Sequence, residues 1–189
     1  MKLNENQLKE IDENGYVILV DWFSNEEVKN IRKEMTIVFN EKTEANIIEK
    51  SSGEARTAMG LHLRSKIFDD LTRHPKFFEP AKQIRGNNLY IQQTKINVKA
   101  AFTGEVWQWH YDFATHLGED GVPKPLALNL HVFLDDVNEF NGPLYFIPKS
   151  HKYGSAPSTL DTITTSYPLW TVDQQTVKKL VNENGIVSA

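Results

Sequence analysis

Residues 107–113, Trp-Gln-Trp-His-Tyr-Asp-Phe, hold the densest run of chemistry-bearing side chains in the sequence. His110 and Asp112 lie two positions apart, so in an extended segment their side chains leave the same face. One imidazole and one carboxylate on a common face supply two ligands of a two-histidine, one-carboxylate facial triad. Such a triad holds Fe(II) and leaves the opposite positions open for reactants. Trp107, Trp109 and Phe113 flank the pair and would limit water around it. Three-residue patterns also arise by chance, and read alone this one fits a surface His–Asp pair equally well. Cysteine is absent, which excludes a disulfide framework, a thiolate zinc site and a cysteine nucleophile. Any metal must therefore use imidazole with carboxylate or water oxygen, a donor set suited to Fe(II), Mn, Zn or Ni.

The elements that would position this segment change character near residue 86. Residues 3–13 read as a short helix ended by Gly15, and Tyr-Val-Ile-Leu-Val (16–20) as a β-branched strand. Ser24 and Glu27 have capping-box spacing, and Val28, Ile31, Met35 and Val38 follow at helical intervals, predicting an amphipathic helix over 24–40. Residues 65–86 predict two short helices broken at His74-Pro75, because the residue before proline avoids the α region. Beyond Gly86, segments 89–98, 106–110, 126–134 and 144–147 read as strands, and the third alternates apolar and polar or aromatic positions. Residues 152–170 read as a polar loop, and 173–184 as a helix closed by Gly185. Helices first and short strands afterwards imply a mainly β fold with a helical flank. Its core would be a double-stranded β-helix of jelly-roll or cupin-like type.

The 189 residues suit one domain, with the helical flank over about 1–86 and the barrel strands over about 87–189. Hydrophobic residues at 40% and charged residues at 24% exclude a disordered chain. A net charge of −4 argues against nucleic acid as partner. No apolar run approaches the ~18 residues of a membrane span, and the N-terminus lacks a signal-peptide core. A cytoplasmic protein acting on a small molecule, with no membrane partner, is the expectation; oligomeric state is left open.

Separated blocks carry a resemblance to a known family. They are YIQQTKIN (90–97), Lys99, FTGEVWQWHYDF (102–113), EDGVP (119–123) and FLDDVNEFNGPLYFIPKSHKYG (133–154), with GYVILVDWFSNEEV (15–28) at the start. The chain resembles the phytanoyl-CoA dioxygenase superfamily of Fe(II)/2-oxoglutarate-dependent oxygenases, and within it the free amino acid (leucine) hydroxylases and ectoine hydroxylase. The resemblance implies that His110 and Asp112 bind Fe(II), and that Lys99 binds the 2-oxoglutarate cosubstrate. Asn97, four residues after Gln93 on the same strand face, is a second cosubstrate candidate and reads equally well as a hydrogen-bonded strand asparagine. A lysine is a compact charge suited to a carboxylate in a partly dry barrel. The resemblance also implies that Gln93 lies near the substrate or cosubstrate and that Thr115 and His116 shape the substrate site. His131, on the alternation face of Asn129, reads either as a substrate-lining residue or, ahead of that, as a satisfied core histidine. Related halogenases carry a small residue in place of the carboxylate ligand, so Asp112 implies hydroxylation. The implied reaction uses O2, converts 2-oxoglutarate to succinate and hydroxylates a C–H bond of a small free metabolite. An aliphatic L-amino acid such as leucine is the first expectation. Ectoine hydroxylases favour a tryptophan at the position of His116, which sets ectoine behind it. His62 and His74 read as structural or exposed, and His151, in the KSHK block, matches a family feature after the barrel strand but not the position of the second iron histidine.

In the family a second ligand histidine and a 2-oxoglutarate-binding arginine follow the SHK block, whereas no histidine or arginine occurs after residue 154 here. The expectation is a barrel truncated at the C-terminus, its last strands missing. The competing expectation is a catalytically incomplete cupin-like binding module.

Overall fold

A computed structural model of the chain describes residues 1–102, 104–154 and 156–189. These residues cluster into two compact units built from interleaved segments. The first comprises Met1–Asn4, Leu19–Gly104 and Leu128–Asp136; the second comprises Glu5–Ile18, Glu105–Ala127 and Val137–Ala189.

In the first unit, helix α2 (Asn25–Phe39) begins at Ser24. The Ser24 hydroxyl accepts from the Glu27 N–H while the Glu27 carboxylate accepts from the Ser24 N–H, so the expected capping box is formed. Strands β1 (Asn46–Ile48) and β2 (Ala55–Met59) follow. Helices α3 (Leu61–Arg64), α4 (Lys66–Thr72) and α5 (Pro75–Arg85) come next, and β3 (Lys95–Asn97) completes an antiparallel sheet in the order β1-β2-β3. The expected break falls at His74, whose extended backbone (ψ 135°) caps α5 with Pro75 in its first turn. Ile31 and Val38 of α2, Ala58 of β2, Leu61, Phe68 and Ile96 form the buried core. Apolar burial of this kind, rather than the short helices' own propensity, holds them in place.

The second unit opens with α1 (Glu5–Asn14), closed by Gly15 at φ +88°. Helix α6 (Asp112–Gly118), β4 (Tyr145–Phe146), a 3₁₀ turn (Ser150–Tyr153), β5 (Ser158–Asp161) and β6 (Leu169–Val172) follow. Helix α7 (Gln174–Asn184) and β7 (Val187–Ser188) end it. β4 pairs with β7 and β5 with β6, both antiparallel. Asp173, expected inside the helix, instead caps α7 by accepting from the Thr176 N–H, and the expected closure falls at Gly185, φ +76°.

The strand pairing is more sparse than a jelly-roll expectation implies. Among the described residues there are three sheets, of three, two and two strands. Segments 16–20, 106–110 and 126–134 lie outside any strand, and only Lys95–Asn97 of 89–98 is one. The alternation over 126–134 does not bury a face: Leu126 is 61% and Leu130 43% exposed. Alternation fixes a strand only where a second layer covers its apolar side. The polar loop expected over 152–170 instead contains β5 and the start of β6. Among the described residues no helix is long and apolar enough to cross a membrane.

Candidate metal centre

The Trp107–Trp109 stretch is held along the segment leading into β6. The Val172 N–H donates to the Trp109 carbonyl at 2.8 Å. The Trp107 ring meets Tyr167 edge-on at 5.5 Å, and the Ser166 hydroxyl donates to the Glu105 carboxylate at 2.6 Å. His110 follows this anchored stretch, and Asp112 opens α6. The two ligand candidates therefore straddle a loop-to-helix junction rather than sharing a strand. Tyr111 between them keeps an extended backbone (φ −107°, ψ 128°) as the N-cap residue of α6. This extended residue preserves the parity the sequence implies and brings the two side chains together.

His110 Nε2 stands 3.2 Å from Asp112 Oδ1, and the two side chains are 27% and 31% exposed. His110 Nδ1 lies 2.6 Å from the Gln108 carbonyl. A carbonyl only accepts, so Nδ1 carries the proton and donates. Nε2 is then the nitrogen aimed at the carboxylate, as in a ligand pair that shares one ion. Two donors at about 2.1 Å from one ion, on adjacent octahedral positions, stand about 3 Å apart. The pair thus fits a shared metal ion, with the outer-shell carbonyl fixing the ring as ligand histidines require. Among the described residues no third His, Asp or Glu joins the pair.

A cavity of about 590 Å³ in the same unit is walled by Gln108, Trp109, Val172, Val177 and Ile186. The Tyr111 hydroxyl donates to the Ser150 carbonyl at 3.0 Å, and burial raises its phenol above the ordinary value. His116 Nδ1 lies 2.8 Å from the Asp120 carboxylate, one helical turn on, and its side chain is largely buried. Thr115 is half-buried on α6, where its carbonyl accepts from the Glu119 N–H.

The remaining candidates lie in the first unit. Ile96 is buried and Val98 half-buried, while Gln93, Asn97 and Lys99, at odd positions, are exposed. Asn97 accepts from the Thr57 hydroxyl at 3.0 Å, across the β2–β3 pair. Lys99 Nζ donates to the Gly104 carbonyl at 3.4 Å. His131 is exposed. His62 pairs with Thr94 at 2.7 Å, and His74 caps α5 by accepting from the Lys76 N–H, so both have structural partners. Within the second unit the structure brings together His110, Asp112 and the Gln108 carbonyl. Sequence reasoning missed the roles of Gln108 and Tyr111, because Gln108 acts through its own backbone carbonyl and the Tyr111 hydroxyl donates to a backbone carbonyl 39 residues away. Strand parity alone, which turns Tyr111 away from its neighbours, is the signal that marks it.

Residues 11–185 match the phytanoyl-CoA dioxygenase (PhyH) family, and the chain belongs to that family. It is 35% identical over 154 residues to ectoine dioxygenase of Bordetella bronchiseptica, which covers 79% of this chain and 50% of the relative. It is 34% identical over 145 residues to L-proline trans-4-hydroxylase of Streptomyces griseoviridis, covering 77% and 54% respectively. The crystal structure of EctD from S. alaskensis with 2-oxoglutarate and 5-hydroxyectoine superposes with a TM-score of 0.85 at 28% identity. That likeness covers 99% of this chain and 64% of the other. The chain thus spans about half the length of the curated relatives named here.

Proposed function

We propose that this protein is an Fe(II)- and 2-oxoglutarate-dependent hydroxylase of a small free metabolite, with residues 1–189 serving as one dioxygenase-like domain. The observation that carries the reading is the 3.2 Å approach of His110 Nε2 to Asp112 Oδ1 in a chain of the PhyH family. Bound iron supplies the chemistry of O2 activation, coupled to conversion of 2-oxoglutarate to succinate. The protein's residues do the rest. His110 and Asp112 hold the metal, and the Gln108 carbonyl keeps His110 in the ligating tautomer. Lys99 offers a cation, and Asn97 an amide, to 2-oxoglutarate. Gln93, Thr115, His116 and His131 line the substrate site. Asp112 keeps a carboxylate on the metal, which favours hydroxylation over halogenation.

The finer reading of substrate is an aliphatic L-amino acid such as leucine, supported by the WQWHYDF and VNEFNGP blocks. The names of the relatives bring L-proline and ectoine forward as the competing substrates, and His116 is the position expected to tell them apart. The test is succinate release and substrate mass gain on incubation with Fe(II), ascorbate, 2-oxoglutarate and O2. L-leucine, L-proline and ectoine are supplied separately. Succinate release coupled to addition of one oxygen to one of the three supports the proposal. Tight binding of metal and 2-oxoglutarate without turnover of any of the three contradicts it and leaves the catalytically incomplete binding module.

A further inference from the structure

We infer that Tyr111 is a positioning residue for the His110–Asp112 pair, its hydroxyl tying the backbone between the two ligands to the 3₁₀ turn at Ser150. The inference rests on reading that pair as a metal site.

Tyr111 is the residue at which the chain leaves the extended path of His110 and enters the helix begun by Asp112. Its torsion angles decide whether the imidazole and the carboxylate converge. Parity turns its side chain away from theirs. There its hydroxyl donates to the Ser150 carbonyl at 3.0 Å, from a ring that is half-buried. The anchor is itself fixed. Lys149 enters the turn at φ +63°, and its N–H donates to the Asn14 carbonyl at 2.9 Å. His151 Nε2 lies 3.0 Å from the Asp12 carbonyl and donates to it. The His151 ring approaches Gly15 so closely that a Cβ there would stand 2.4 Å from Nδ1. Two hydrogen bonds and one close approach thus fasten the turn to the C-terminal end of α1, and Tyr111 passes that constraint to the ligand pair. Phenylalanine would fill the same space but leave the junction tethered by packing alone. Outer-shell groups of this kind set ligand orientation, and their loss weakens metal binding about 10–100-fold.

The test compares wild type, Tyr111→Phe, His151→Gln and His110→Ala in Mn(II) titrations followed by electron paramagnetic resonance. Mn(II) suits imidazole and carboxylate donors and needs no oxygen chemistry. All four are measured at a temperature where circular dichroism shows them folded, and thermal midpoints are recorded beside the affinities. The expected result is that Y111F binds Mn(II) about tenfold more weakly than wild type, with a broadened bound-state spectrum. H151Q should show a smaller loss in the same direction. Wild-type affinity and line shape in Y111F, whatever its thermal midpoint, would overturn the inference, because the hydroxyl would then serve stability alone. An unchanged affinity in H151Q would overturn the tie through the turn. If wild type and H110A bind Mn(II) equally, the metal reading itself fails, an outcome separate from failure of Tyr111.

Discussion

The aliphatic stem of Lys99 runs so close over Gly104 that a Cβ at residue 104 would stand 2.7 Å from Lys99 Cγ, and equally 2.7 Å from the Ala100 carbonyl oxygen. The backbone oxygen cannot swing aside as a side chain can, so Gly104→Ala must shift Ala100 or Gly104 and the lysine with it. Because Lys99 is proposed to face 2-oxoglutarate, G104A should weaken 2-oxoglutarate binding severalfold while leaving Mn(II) affinity unchanged. Lys99→Met should weaken it about 10–100-fold, the worth of one charge-assisted hydrogen bond. Calorimetric titration of 2-oxoglutarate into the Mn(II)-loaded protein reads both effects. Equal 2-oxoglutarate affinity in wild type and K99M would remove Lys99 from the site.

Glu27 joins two helix starts. Its carboxylate accepts from the Ser24 N–H at 2.6 Å in the capping box of α2, and from Lys76 Nζ at 2.5 Å in the first turn of α5. The Lys76 hydrogen bond, ahead of the one from Ser24, lowers its pKa to about 2 from the usual 4.5. A folded-state pKa below the unfolded value contributes stability that is complete above pH 4.5 and fades as pH falls towards 2. Glu27→Gln should therefore be less stable than wild type by about 1 kcal/mol at pH 7, a figure reduced for partial exposure. The two should converge by about pH 2. Urea midpoints across that range test the sign: a gap that widens on acidification would contradict it.

Arg64 gathers the end of α2 onto the β1–β2 sheet. Its guanidinium donates to the carbonyls of Val38 and Met59, to the Asn46 amide oxygen at 2.9 Å, and to Glu41 at 2.7 Å. A lysine keeps the charge but cannot reach four partners from one planar fork. Arg64→Lys should cost about 1–3 kcal/mol, and Arg64→Met more, because the Met59 carbonyl and the Asn46 amide oxygen each lose a donor and the Val38 carbonyl keeps only its others. Denaturant unfolding reads both, and an R64K midpoint equal to wild type would show the fork to be dispensable.

Where local chemistry decides conformation, the sequence was readable. Ser24 with Glu27, Pro75 after His74, and Gly185 after α7 each act within a few residues of the boundary they set. The β1–β2 hairpin was hidden because it buries a polar pair where apolar alternation is sought. Arg56 and Glu49 are almost fully enclosed, 3.5 Å apart. Residues 16–20 were misleading in the opposite sense: β-branched residues favour a strand, yet Val20 is 81% exposed and makes no ladder. At the site, spacing offered His110 and Asp112 as a pair and the family resemblance implied iron, but neither told that Asp112 opens a helix, nor that Ser150, 39 residues further on, would receive the intervening tyrosine. Long-range partners of this kind follow from tertiary packing and leave no local pattern.

The central claim is that His110 and Asp112 share one metal ion. Equilibrium Mn(II) binding to wild type, His110→Ala and Asp112→Ala, each confirmed folded, tests it most directly. One Mn(II) per chain is expected in wild type, with an affinity at least roughly tenfold weaker in each variant. Binding that is equal in all three proteins, or absent from wild type, would contradict it and leave His110 and Asp112 as an ordinary ion pair.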